Sequence, residues 1–408
     1  MTVKPMRHFD DPAAEAAHLI TRLAIALLLI VTPIASVGTR SAIYVLAPVG
    51  VALTLVAWLL EPGGRGPRQL RAAIFSSTGL LVVFLGCWAA LSLIWTPFGT
   101  GPSERFVKSA STFILAATAA ALLPERTRTS NLYLLPIGVA AGAIAIVLLV
   151  AISKSPSLRS GDPEVSLVAR AAFGLALLVW PALGALIVRD KAKWAIGLAV
   201  VVVIAELFAA VPLALAATAL GALVFAAAMA DKQTTARWLA IAGAALFLVA
   251  PVVALVLYAA VRMTPASPIL PALVWGSYIV HDGFYALVGH GFDAARLGVA
   301  MGYLPPATPR SLLFEAWFEL GLVGVATAAV LWAQIVRRAG RSGPTLAPFL
   351  ISGLTSAYVM SAFGLGVAPV WWVTLLALSG FAFALLQHGH ARVQRPDVAK
   401  IASGAFRS

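Results

Sequence analysis

Apolar runs of about 17 to 25 residues recur from one end of this chain to the other. That is the length a helix needs to cross ~30 Å of hydrocarbon, where no water is present to bond an exposed backbone N–H or C=O. Twelve runs are long enough, near residues 19–36, 42–60, 74–95, 107–123, 132–152, 166–188, 194–210, 212–230, 237–261, 311–336, 345–363 and 369–387. The sequence therefore predicts an all-α integral membrane protein, a polytopic bundle of about 12 transmembrane helices. Only 11% of the residues are charged and 61% are hydrophobic. A water-soluble domain carries charge on roughly a quarter of its residues, so soluble classes are excluded.

The formal charge of +13 raises the question of nucleic acid, but basic residues in a membrane protein first report orientation. With the N-terminus inside, 19 of the 29 Lys and Arg fall in cytoplasmic segments. Eight lie in external segments or at their rims: Arg40, Arg105, Lys108, Lys154, Arg159, Arg262, Arg296 and Arg310. Arg22 and Arg170 lie inside spans. This asymmetry predicts two cytoplasmic termini and leaves no nucleic-acid partner to invoke.

Most connections are short, such as "PERTRTSN" and "RDKAKW". One is not: residues 262–310 form a large connection that parity places on the external, periplasmic side, and long loops in compact folds tend to be functional. The expected organisation is a cytoplasmic N-terminus (1–18), nine spans (19–261), the periplasmic loop (262–310), three spans (311–387) and a cytoplasmic tail (388–408). The run 194–230 is too long for one crossing and contains Pro212, so it is divided by a tight turn near 209–212. Within the loop, "ALVWGSYIVHDGFYALV" reads as a short interfacial helix and "GHGFD" as a turn. The single cysteine, Cys87, allows no disulfide, and His388 and His390 lack further ligands, so no metal and no cofactor are expected. Arg22 and the lack of a small-residue cleavage site mark the first run as a retained helix.

Ionisable groups in spans are costly and tend to face a bundle interior. Here they share a level. Arg105 and Lys108 open the fourth span from outside, Arg170 and Glu206 lie near the outer ends of the sixth and seventh, and Glu315 and Glu319 occupy the outer turns of the tenth. With Arg262, Arg296 and Arg310 from the loop, they predict a polar, largely cationic region. Guanidinium groups suit phosphate because their planar fork donates two parallel hydrogen bonds. In "ATPRSLLFEAWFELG", Thr308 is placed to cap the tenth helix, Pro309 to open it, and Glu315 and Glu319, four apart, share one face. His281, Asp282, His290 and Asp293 are the loop groups able to take a proton near neutral pH, the histidines having the most suitable intrinsic pKa for a general base. Glu315 is the buried alternative.

The stretches "ALVWGSYIV", "LVGHGFDAARL" with Gly289, Gly291 and Phe292, and "TPRSLLFEAWFELGLVG" with Pro309, Glu319, Gly321 and Gly324 resemble the O-antigen ligase and O-antigen polymerase superfamily of bacterial envelope glycan enzymes. "LVARAAFGLALLVWPALG" is similar to that family's middle helix. About 60 residues carry the motif. The resemblance implies a metal-independent glycosyl transfer at the periplasmic face of the bacterial inner membrane. Its donor is an undecaprenyl-pyrophosphate-linked glycan and its acceptor another glycan or lipid A core, with membrane lipids and other polysaccharide assembly proteins as partners. On that reading Arg105, Lys108, Arg170, Arg262, Arg296 and Arg310 hold the pyrophosphate, and Glu206 buffers an arginine. Glu315 and Glu319 orient the arginines or the acceptor, and Arg170, Arg296 and Arg310 share a cavity. The family places a histidine after the motif proline, where this chain has Arg310, and a serine-arginine pair where this chain has Val211 and Pro212. The base role therefore passes to His281, His290 or Glu315, or the protein binds lipid-linked glycan without turnover. A lipid-linked oligosaccharide flippase is the other class to weigh; it predicts two similar halves joined by a long central link, whereas the central link here is "RDKAKW".

Overall fold

The computed structural model describes residues 12–39, 41–60, 66–123, 129–153, 166–261, 269–281, 285–366 and 369–390. Their regular structure is entirely helical. In chain order the helices are α1 (Pro12–Ala26), α2 (Thr32–Gly38), α3 (Ala42–Leu60), α4 (Gly66–Ile74), α5 (Ser77–Ser92), α6 (Gly101–Ala121), α7 (Leu134–Ile152), α8 (Leu167–Ile187) and α9 (Ala192–Ala209). There follow α10 (Pro212–Ala230), α11 (Lys232–Ala260), α12 (Leu270–His281), α13 (Tyr285–Val288), α14 (Ala294–Ala300), α15 (Leu312–Gly340), α16 (Ala347–Phe363) and α17 (Val370–His390). A π-helical turn, Leu27–Val31, joins α1 to α2, and a 3₁₀ turn, Thr129–Tyr133, precedes α7.

Among the described residues nine helical stretches are long and apolar enough to cross a membrane: Glu15–Gly38, α3, Asn131–Ile152, α8, α9, α10, α11, α15 and Val370–His388. The protein is thus a multi-pass membrane protein. The other three runs read as spans are α5 and α16, which are apolar but shorter, and α6, which carries Glu104, Arg105 and Lys108 in its first two turns. The long run around residue 210 is two helices. Ala210 takes left-handed angles (φ 53°) and ends α9, and Pro212, whose missing N–H costs nothing at a helix start, opens α10.

Helix α8 is central, with 83% of its span buried, against 22% to 61% for the other eight. It packs against α7, α9, α16 and α17. In hydrocarbon no hydrophobic gain separates a helix–helix contact from a helix–lipid contact, so close approach through small residues decides packing. Ala169, Ala172, Ala176 and Ala182 of α8 are accordingly fully buried.

A second packed unit joins α11, α15 and α16. Pro251 inside α11 has no N–H for the carbonyl four residues earlier, Phe247, and the indole N–H of Trp317 on α15 donates to that oxygen at 2.7 Å. Trp332 Nε1 donates to Leu239 O (3.2 Å) and Tyr358 Oη to Gly243 O (2.7 Å), so three aromatic side chains pin α15 and α16 to the α11 backbone. Trp317→Phe keeps the ring and strands the Phe247 carbonyl. A loss of about 1 kcal/mol is expected, read as a lower thermal midpoint in detergent; an unchanged midpoint refutes the assigned role.

Between α11 and α15 lie the short helices α12, α13 and α14. The first half of the predicted interfacial segment is α12. Its Leu273, Val274, Trp275 and Gly276 are buried, with Gly276 against Ala254 and Tyr258 of α11, so this face packs on protein instead of lying free at an interface. Phe284 of that segment lies outside the described residues.

Candidate functional site

The site is built on a break in α15. Gly321 has φ 64° and ψ −165°, which divides the helix after Leu320. Carbonyls in the last turn before such a break lose their intrahelical donors. Three are bonded from elsewhere: Phe318 O accepts the His290 N–H (2.8 Å), Glu319 O the Gly291 N–H (3.0 Å), and Leu320 O the indole N–H of Trp88 on α5 (2.9 Å). The turn "GHGFD", residues 289–293, thereby docks onto the broken helix. Its other side is held by α5 and the residues after it: Trp95 Nε1 donates to Gly289 O (3.1 Å), and Ser92 Oγ accepts the Phe292 N–H (3.0 Å). Gly289 and Gly291 both have positive φ, and a Cβ on Gly289 would collide with the Glu319 backbone.

Asp293 follows, also left-handed (φ 62°), at the N-cap of α14, yet its side chain makes no cap bond. Glu319 supplies the cap from α15. Its Oε1 accepts the Ala295 N–H at 3.2 Å, and its carboxyl also accepts the Asp293 N–H. The Asp293 carboxylate is thereby released for other partners. Its Oδ1 accepts from Arg296 Nε (2.9 Å) and Oδ2 from Arg296 Nη2 (2.6 Å), a two-point grip. Arg105 of α6 brings its Nε to 3.6 Å from Oδ1. Asp293 is 1% exposed, Arg105 17% and Arg296 40%, so the carboxylate sits beneath two guanidinium groups of which Arg296 is the more open. Phe106 packs edge-on against Phe292 (5.6 Å between centroids) and holds α6 to the turn.

Glu315 and Glu319 are buried within electrostatic reach of Arg105. Sequence reading anticipated a largely cationic region; the described residues instead assemble two arginines with three carboxyl groups. A charge withdrawn from water is costly without a partner, and the carboxyl groups supply partners for the two arginines. Arg296 is the member whose guanidinium remains substantially accessible.

Beside this cluster, on the other side of α14, opens a cleft of about 700 Å³. Its wall includes Phe98, Tyr278, His290, Leu297, Tyr303 and Phe318. A smaller, more apolar cleft of about 200 Å³ between α11 and α12 shares Tyr278, His290 and Phe318 with it. The His290 ring lies between Tyr285 (4.4 Å) and Phe318 (4.1 Å). Its Nδ1 is 3.1 Å from Phe318 O, an atom that only accepts, so Nδ1 carries the proton and Nε2 holds the basic lone pair.

Several other candidates have partners of their own. Lys108 pairs with Glu104 one turn earlier, and both are exposed. Arg170 places its guanidinium 5.2 Å over the Trp371 ring. Glu206 is bonded by Thr218 Oγ1 (2.7 Å) across the α9–α10 pair, with a hydroxyl where an arginine was expected. His281 is exposed, with Nδ1 2.7 Å from Ser277 O. Arg310 is exposed just before α15. Arg262 lies outside the described residues, as does Asp282. The cap of α15 is Ser311, whose Oγ accepts the Phe314 N–H (3.3 Å); Thr308 instead bonds Pro305 O (2.7 Å) and closes a preceding turn.

Sequence reasoning named Asp293 only as a proton acceptor and missed it as the hub. The three-residue spacing to Arg296 was a usable signal; nothing local announced Arg105, 188 positions away. No protein-family model matches the chain, and no curated protein shows significant similarity to it.

Proposed function

We propose that the protein transfers a glycan from a lipid-linked pyrophosphate donor to a sugar hydroxyl at the external face of a bacterial inner membrane. It works there as a twelve-span protein with both termini cytoplasmic and residues 262–310 periplasmic. The observation that supports this most directly is the meeting of Arg105 and Arg296, from elements far apart in sequence, on one buried carboxylate beside a cleft large enough for sugar units. The motif resemblance supplies the reaction class. In the proposed step the acceptor oxygen bonds to the anomeric carbon. The bond from that carbon to the phosphate oxygen breaks with its electron pair leaving on the lipid pyrophosphate, and the hydroxyl proton passes to a base, a role assigned to His290, which lines the cleft. Arg296, with Arg105 behind it, lies across α14 from that cleft, and there it meets the pyrophosphate of the donor and stabilises the charge growing on the leaving group.

The test is transfer by purified protein in vesicles containing undecaprenyl-pyrophosphate-linked oligosaccharide and a glycan acceptor. Arg296→Ala is expected to lower the transfer rate by about 10²-fold or more with protein levels unchanged. Arg310→Ala is expected to abolish product with protein levels normal, and wild-type product from that variant removes Arg310 from the mechanism. Absence of transfer by the unaltered protein, or wild-type rates from Arg296→Ala, removes this reading. Accumulation of carrier-linked glycan on the inner leaflet of a deletion strain marks a flippase instead.

A further inference from the structure

At the end of the bundle opposite Asp293, α4 and the last turns of α15 each carry arginines, and both pack on α5. Helix α4 is short and amphipathic, with Arg68 and Arg71 three positions apart on one face and both exposed. Phe75, seven positions after Arg68 and just past the helix, falls on that same side. Its ring is 67% exposed, and the Arg71 guanidinium lies 5.9 Å above it. Ser76 then caps α5, accepting the Gly79 N–H at 3.1 Å. The cationic end of α15 reaches this corner: Arg338 Nη2 donates to Ser77 Oγ at 3.0 Å, and Thr78 Oγ1 to Gln334 Oε1 at 3.3 Å. Arg337 and Arg341 are exposed beside it. Neither residues 66–92 nor residues 321–343 contain a single Asp or Glu, so these segments supply five arginines and no carboxylate to neutralise them.

We propose that this corner is a binding site for the headgroup of an anionic phospholipid. The phosphodiester lies between Arg71 and Arg338, Arg68 flanks it, and Phe75 enters the acyl boundary below. Each part has its physical reason. Uncompensated guanidinium groups at an interface attract anionic headgroups, and their fork fits phosphate oxygens. An exposed aromatic ring next to arginines on a short amphipathic helix is the pattern of a helix lying in the interfacial plane. A multi-pass protein meets such lipids at high local concentration, so the bilayer is the source of the phosphate. This site is independent of the proposed transfer chemistry and lies across the membrane from it. Its consequence is mechanical: a lipid bridging α4 and α15 ties the far end of the broken helix to α5, the helix that also holds the "GHGFD" turn.

The test compares nanodiscs of phosphatidylcholine alone with nanodiscs containing phosphatidylglycerol. The unaltered protein is expected to unfold several degrees higher in the anionic discs, with the difference shrinking at high salt, and to retain phosphatidylglycerol in native mass spectrometry. The triple variant Arg68→Gln, Arg71→Gln, Arg338→Gln is expected to match the parent in phosphatidylcholine and to lose both effects. Should the triple variant not fold, Arg71→Gln alone is expected to lose most of the shift. An equal shift and equal lipid retention in whichever variant folds overturns the proposal, as does a parent protein indifferent to phosphatidylglycerol. Stabilisation by inorganic phosphate equal to that by the lipid assigns the site to a free anion and overturns it too.

Discussion

Gly321→Ala is expected to undock the "GHGFD" turn and to abolish any activity that depends on the Asp293 cluster. The backbone at Gly321 (φ 64°, ψ −165°) lies in a region essentially confined to glycine, and a Cβ there would stand 2.5 Å from Leu287 O and 2.6 Å from Gly289 N. Conformational strain of this kind costs ~1–3 kcal/mol before any contact is counted. The chain can relieve it by letting α15 run on through residue 321 as ordinary helix. That relief withdraws the Phe318, Glu319 and Leu320 carbonyls from His290, Gly291 and Trp88, and with them the register that lets Glu319 cap α14. The measurement is twofold: a thermal midpoint in detergent lower by several degrees, and cysteine labelling, in a Cys87→Ser background, at an introduced Ala295→Cys, a position buried in the parent and expected to become reactive. A Gly321→Ala protein with the parent's midpoint and a protected position 295 sinks the account of the break as the support of the site.

Asp293→Asn carries the second large effect, and it separates charge from backbone. Asparagine tolerates left-handed angles nearly as well as any non-glycine residue, so the turn at 293 persists and one amide oxygen still accepts from Arg296. What disappears is the negative charge between two guanidinium groups. Breaking a buried pair costs about 3–5 kcal/mol. Arg296 is 40% exposed and can turn to water, so the expected loss is nearer ~2 kcal/mol, carried chiefly by Arg105 at 17% exposure. Asp293→Ala adds the strain of left-handed alanine, ~1–2 kcal/mol, and is expected to be the worse variant. Arg105→Met combined with Asp293→Asn should recover part of the loss, because it removes the stranded charge with its partner. If Asp293→Asn unfolds at the parent's temperature, the ion cluster is not what fastens α14 to α6.

The division between sequence and structure is visible at individual residues. Twelve apolar runs announced a helical membrane protein, since in hydrocarbon the backbone must bond within its own segment, and Pro212 with the length of its run announced two helices meeting near residue 210. The "GHGFD" turn was legible because glycines at 289 and 291 mark backbone that other residues resist. Two local signals misled: Thr308 looked like a cap, but Ser311, three residues later, sits where the helix begins, and the first half of the loop helix packs on α11. Of the charged groups read as one level, Glu315, Glu319, Arg105 and Arg296 gather around Asp293. Lys108 pairs with its own Glu104, and Arg170 stacks on Trp371.

By itself the sequence determined the all-helical membrane class, the division near residue 210 and the glycine turn at 289–293, because hydropathy, proline and glycine act over a few residues. Only the tertiary structure decided that Asp293 joins Arg105 to Arg296, that Glu319 caps a helix from another element, and that Trp317 serves a carbonyl freed by Pro251. Arg105 and Asp293 are 188 positions apart, Trp317 and Phe247 are 70 apart, and Glu319 and Ala295 are 24 apart. What selects them is the cost of leaving a buried charge or a backbone group without a partner, and that cost is settled only when distant helices come within hydrogen-bonding distance.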